Sequence, residues 1–188
     1  MYLARKVFEA IGTMFYGANT IMKWMTTSSN LVCRGGHILS WITPLGLPIQ
    51  QPYRKPGKYD AVNTLLQKVV LRDDQDLPVN ARRNATAFPP NYVHSLDSTH
   101  MMLTALECKQ RGISYASVHD SYWTHACYAD DMNRILREKF VELYSKPLLN
   151  DLRNYWITQN PDLDIPPVPE LASDFELEQV KKSPYFFH

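Results

Sequence analysis

With 188 residues, of which 45% are hydrophobic and 21% charged, the chain is long enough to bury a core and too apolar to read as disordered. Its net charge of +1 provides no global basic field, so any contact with nucleic acid must come from local patches. The three cysteines, Cys33, Cys108 and Cys127, lack C-x-x-C spacing, which argues against a disulfide framework or zinc site, and no apolar run approaches the roughly 20 residues of a membrane span.

Taken in order, Val7, Ile11, Met14, Phe15, Ala18, Ile21, Met22 and Met25 recur at three- and four-residue steps and predict one long helix over residues 3–25, buried along its length and ended by the polar stretch 26–30. Arg5 and Lys6 give this segment a superficial likeness to a transit peptide, but Glu9 and the lack of Ser and Arg enrichment favour a structural helix. Residues 37–43 and 47–51 flank Pro44-Leu45-Gly46 and predict a hairpin whose second strand, with Pro48, lies at an edge. Val69-Val70-Leu71 predicts a strand. Residues 72–87, with Asp73, Asp74, Asp76, Arg82 and Arg83, read as a surface loop closed by Pro89-Pro90. A helix is then predicted from about Asn91 to Arg111, stopped by Gly112, with Tyr92, Leu96, Leu103 and Leu106 as its buried stripe and His94, Asp97, Met101 and Thr104 on another face. Further helices are expected over 129–145 and from Pro147 to Gln159, followed by an extended proline-rich stretch over 161–169 and a docked aromatic tail, Tyr185-Phe186-Phe187-His188.

Between those helices, Ser117-Val118-His119-Asp120-Ser121-Tyr122-Trp123 predicts a tight hairpin with a carboxylate at its bend. A carboxylate on a rigid strand-turn suits a hard divalent cation, although aspartate is also a common turn former. Phosphoryl chemistry on two magnesium ions needs a second carboxylate, and Asp73, Asp74 and Asp76 cannot be placed against the first from sequence. His94, Asp97 and His100 lack a full metal-ligand set. A Ser-His-Asp hydrolase lacks its G-x-S-x-G elbow.

Three ordered runs narrow these alternatives: Trp41-Ile42-Thr43-Pro44-Leu45-Gly46-Leu47-Pro48, then Pro89-Pro90-Asn91-Tyr92-Val93-His94-Ser95-Leu96-Asp97, then Val118-His119-Asp120-Ser121. With the terminal Tyr185-Phe186-Phe187, they resemble the C-terminal part of the phage-type single-subunit DNA-directed RNA polymerases. The mitochondrial branch is also similar at His100-Met101-Met102-Leu103-Thr104-Ala105 and Trp123-Thr124-His125-Ala126. The resemblance implies a helix-rich α+β chain in which residues 1–188 form part of a right-hand polymerase palm and the helices adjoining the fingers. It implies that Asp120 is a catalytic aspartate and ligand of Mg²⁺ in a two-metal mechanism, that His94 lies near the incoming nucleotide and transcript end, and that His119 touches the transcript. It also implies a DNA template, an RNA transcript and ribonucleoside triphosphates as partners, with mitochondrial transcription factors beside them, and a mitochondrial location. The family's second metal aspartate and its nucleotide-binding fingers helix are expected upstream of this chain, which therefore reads as a fragment.

Two alternatives remain beside that reading. In related DNA polymerases the corresponding turn is usually His-Asp-Glu, which Ser121 argues against. The other is a catalytically inactive, truncated nucleic-acid-binding fragment using Arg82, Arg83, Tyr92 and Trp123.

Overall fold

The computed structural model describes residues 2–57, 59–63, 65–72, 77–170 and 175–186. It is helix-rich with three separate two-stranded antiparallel sheets, an α+β arrangement as expected. The first sheet pairs β1 (Ser40–Ile42) with β2 (Pro48–Gln50), Trp41 facing Ile49. Its turn is closed by the Leu47 amide donating to Thr43 Oγ1 at 3.0 Å, and Gly46 supplies the φ of +85° that a side chain would resist. The second sheet pairs β3 (Tyr59–Asn63) with β4 (Lys68–Arg72), which bears out the strand expected at Val69-Val70-Leu71. Asp73, Asp74 and Asp76 lie outside the described residues.

The N-terminal region departs from expectation. Instead of one helix there are two, α1 (Tyr2–Met14) and α2 (Tyr16–Arg34), separated at Phe15, whose ψ of 52° breaks the helical path. The apolar stripe of α1 is exposed, with Leu3 78% and Met14 77% accessible, because little of the chain packs against it. Nor does the polar stretch after Met25 end the helix. The Thr26 hydroxyl donates to the Met22 carbonyl at 2.8 Å and the Ser29 hydroxyl to that of Thr26 at 3.1 Å, so these side chains are satisfied within the helix. Ser28 and Ser29 are fully buried, and α2 packs there against the long central helix.

That central helix, α3 (Ala81–Gln110), also begins earlier than predicted. Its start is Asn80, whose side-chain oxygen accepts from the Arg83 amide at 3.1 Å, and Pro89 and Pro90 lie inside it. Proline removes a helical hydrogen bond and normally marks a boundary, which is why residues 81–87 read as loop. Packing overrides the signal here: Ala85, Phe88 and Pro89 are buried, and Asn84 Nδ2 donates to the Tyr53 carbonyl at 2.7 Å. Gly112, at φ +68°, follows the end of α3 as expected. The buried stripe is more polar than predicted. Leu106 is exposed, Leu103 is half-buried, and Thr104 is buried rather than on an outer face. Thr99 and Thr104 bury their hydroxyls by donating to the carbonyls of Ser95 and His100.

The principal core is aromatic. Trp41 meets Phe88 edge-on at 5.3 Å between ring centroids, Phe88 meets Trp156 at 5.0 Å, and Trp24 stacks on Trp156 at 6.4 Å. Burying a phenylalanine fully contributes about 3 kcal/mol, and the edge-on geometry adds to it. Each indole N–H has a partner: Trp24 donates to the Pro166 carbonyl, Trp41 to Ser95 Oγ and Trp156 to the Ser40 carbonyl. Thus the proline-rich stretch is extended and strapped to the core, with Ile165 buried and Arg153 donating to the carbonyls of Ile165 and Pro166. The helices α4 (Ala129–Tyr144) and α5 (Leu148–Gln159) lie where the sequence predicts them. A smaller core of Cys108, Ile113 and Ile135 joins α3 to α4.

Candidate active site

The strands β5 (Ala116–Val118) and β6 (Ser121–Trp123) pair with Val118 facing Ser121, leaving His119 and Asp120 as a two-residue turn. His119 has φ +54°, the one positive value at a non-glycine position among the described residues. The first position of such a turn normally goes to glycine, and a histidine held there stores about 1–3 kcal/mol of backbone strain. Both turn residues are exposed. The hairpin is anchored from below: Thr124 Oγ1 donates to the Ser114 carbonyl at 2.6 Å and the Tyr115 hydroxyl to the Met101 carbonyl of α3 at 3.2 Å. The strained turn is therefore carried on a fixed base.

His94 lies on the exposed side of α3, one turn before Asp97, and its Nδ1 is 3.8 Å from Asp97 Oδ2. The two side chains are 79% and 62% exposed, so this contact adds little stability and leaves both groups available. His94 also borders a cavity of about 280 Å³ between α3 and the end of β2.

Tyr122 connects the helix to the hairpin. Burial pushes its hydroxyl pKa up to about 12, assisted by Tyr115 and by the carboxylates of Asp97 and Asp120. Two aspartates from different elements thus act on one phenol, which stays protonated at neutral pH and can donate a hydrogen bond. Behind it, His100 meets Tyr122 edge-on at 6.3 Å and Phe140 at 5.7 Å, while His100 Nε2 lies 2.8 Å from the Leu136 carbonyl. Burial lowers the His100 pKa, and the hydrogen bond to Leu136 and the charge of Asp97 oppose that shift. The tail reaches the same cluster: Phe186 packs edge-on against Phe140 at 5.1 Å, and Arg137 donates to the Ser183 carbonyl at 3.0 Å. Phe187 and His188 lie outside the described residues.

His119 and Asp120 are adjacent on the turn, His94 lies beside Asp97, and the charges of Asp97 and Asp120 both help to raise the Tyr122 pKa. Asp97 lies beside His94 on the outer face of α3, as its helical spacing predicts, whereas His100 is buried with its ring nitrogen on a backbone carbonyl. The significance of Tyr122 had no local signal, because it comes from the packing of α3 on the hairpin. Among the described residues no group of three or more His, Cys, Asp and Glu side chains is placed to hold a metal ion. A carboxylate such as that of Asp120 is the kind of hard oxygen donor that could hold Mg²⁺, which commonly takes one or two carboxylates with the remaining positions filled by water and substrate phosphate.

Residues 1–162 match the model of the DNA-dependent RNA polymerase family, and the chain belongs to that family. It is 50% identical over 187 residues to a tobacco (Nicotiana tabacum) protein named DNA-directed RNA polymerase 1B, mitochondrial, covering 100% of this chain and 18% of that relative. An Arabidopsis thaliana relative, DNA-directed RNA polymerase 1, mitochondrial, is 48% identical, and a Nicotiana sylvestris one, DNA-directed RNA polymerase 3, chloroplastic, is 46% identical, each with all of this chain matching 19% of the relative. The resemblance drawn from the sequence motifs is thus borne out, and the chain spans under a fifth of the length of these relatives.

Proposed function

We propose that this chain forms part of the palm, with its adjoining helices, of a mitochondrial DNA-directed RNA polymerase. The observation that carries this reading is the His119-Asp120 turn, strained and exposed on an anchored hairpin, in a chain of this family. Asp120 presents its carboxylate as a ligand for Mg²⁺. When bound, Mg²⁺ supplies Lewis-acid activation of the RNA 3′-OH and charge stabilisation of the leaving pyrophosphate. The anchored hairpin fixes the backbone position of Asp120, so little reorganisation is needed as charge develops. His119 contacts the transcript end, and His94 approaches the incoming nucleotide from α3. The DNA template, RNA transcript and ribonucleoside triphosphates are the substrates, with transcription factors as further partners. The mitochondrial assignment follows the names of the tobacco and Arabidopsis relatives above, beside which the chloroplastic one stands.

A second reading, a nucleic-acid-binding piece without catalysis of its own, is favoured by the incomplete ligand set around Asp120 among the described residues. One experiment separates the two. RNA extension on an RNA–DNA scaffold is compared for the 188-residue chain, a full-length polymerase containing it, and that polymerase with Asp120→Asn. We expect no extension by the short chain, robust extension by the full-length protein, and a loss of roughly 100-fold or more in the variant with the fold intact. Undiminished synthesis by the Asn variant would remove Asp120 from the mechanism.

A further inference from the structure

The cavity beside His94 is bordered by a residue whose buried side-chain polar atoms the fold does not use. Gln51, immediately after β2, is 3% exposed, and among the described residues both Oε1 and Nε2 of its side chain are buried without a hydrogen-bond partner. Its backbone amide is engaged, donating to the Leu39 carbonyl at 2.9 Å, so the orphaned group is the side chain alone. Burying an unpaired amide opposes folding, and an apolar side chain of the same length would serve the core better. An amide kept at such a position points to a ligand that satisfies it.

The walls narrow the chemistry of that ligand. Asn91, His94, Ser95 and Ser98 follow one another at helical spacing along α3 and line the cavity with Gln51 and Trp41. Ser95 is already committed, accepting from Trp41 Nε1 at 3.0 Å and donating to the Tyr92 carbonyl at 2.6 Å. Among the described residues, no lysine, arginine, aspartate or glutamate lines the cavity. A phosphate would call for a cation there, whereas a neutral edge offering a donor beside an acceptor matches a carboxamide.

We propose that this cavity binds an uncharged hydrogen-bonding edge of the nucleic acid, with Gln51 as the residue that reads it. The inference rests on the polymerase reading above and assigns a binding role to a residue outside the His119-Asp120 turn. Two parts of a nucleic acid offer this chemistry, a ribose hydroxyl and a base edge, and both are displayed in the shallow groove of an A-form duplex.

The test uses the 188-residue chain and its Gln51→Met variant, with binding read by fluorescence anisotropy and stability by thermal melting. The probes are an RNA–DNA hybrid, the same hybrid with 2′-O-methyl ribose, and a DNA duplex of identical sequence. We expect the variant to melt at the same or a higher temperature and to bind the hybrid about five- to tenfold more weakly, the loss of one or two hydrogen bonds. If the ribose hydroxyl is read, only the unmodified hybrid depends on Gln51; if a base edge is read, all three probes do. A second apolar replacement, Gln51→Leu, keeps the test usable if Met disturbs the fold and should weaken hybrid binding to the same extent. The inference is overturned if the Met variant melts lower with unchanged binding, if all three probes bind wild type and variant equally, or if the wild-type chain binds none of them. The Asp120→Asn comparison judges the polymerase reading separately, so a failure at Gln51 is distinguishable from a failure of that reading.

Discussion

His100 of α3 and Tyr122 of β6 meet edge-on, with ring centroids 6.3 Å apart and planes at 72°. This contact fixes the turn-bearing hairpin against the helix that carries His94. It depends on a histidine that burial keeps in its neutral form, so the relationship responds to pH.

The sign of that response follows from the lowered pKa of His100. An unfolded histidine titrates near 6.5, and the folded one resists protonation to lower pH. Its contribution to stability is therefore complete above about pH 6.5 and is lost as pH falls from there through the folded pKa. Thermal melting of the wild type against His100→Gln across that window should show the wild type losing more stability on acidification. Parallel profiles would remove His100 as the cause.

Ser95→Ala tests the other side of α3. The hydroxyl accepts from the buried Trp41 indole, and its removal leaves that N–H without the partner it now has. A loss of about 1–3 kcal/mol is expected from urea denaturation. Access of water to the Trp41 indole N–H in the variant would make the loss smaller, which tryptophan fluorescence would report.

At His119 the expected result is a separation of stability from function. His119→Gly relieves the positive φ and should leave the fold equal or more stable by about 1 kcal/mol, offset in part by the greater freedom of the unfolded chain. The same change in a full-length polymerase should weaken RNA extension. A variant that is both stable and fully active would assign His119 to the turn alone.

Phe186→Ala measures the tail. The ring lies against Phe140, and the Arg137 guanidinium sits 5.6 Å from its centroid, so about 1–2 kcal/mol should be lost. If the tail also supports the site, RNA extension by the full-length variant should fall by more than that stability loss accounts for.

The readable parts of this chain were those governed by local chemistry. Gly46, Gly112 and the β-rich runs around Asp120 mark turns by backbone preference, and the hairpins follow at the expected places. The start of α3 was hidden because Pro89 and Pro90 are strong local signals that the packing of Phe88 and Tyr92 against Trp41 overrides. Phe15 hid the break between α1 and α2, since an aromatic residue fits the apolar period while its backbone leaves the helix. At the site, His94, His119 and Asp120 were named from motif, but Asp97 and Gln51 gain their roles from neighbours far along the chain. Such pairings have no sequence period to reveal them.

The prolines inside α3 divide a rod of thirty residues, about 45 Å long at 1.5 Å per residue, into unequal parts. Neither ring can donate to the turn before it, so two rungs of the hydrogen-bond ladder are missing just ahead of His94. Bending is cheapest there. The segment from Asn91 onward, clasped to the β5–β6 hairpin through Tyr115 and to α4 through His100, forms the stiff arm. The segment from Ala81, tied to Tyr53 through Asn84, forms the other. Phe88 and Tyr92, on either side of the two rings, both pack against Trp41, so the aromatic core holds the two parts in line where the ladder is broken.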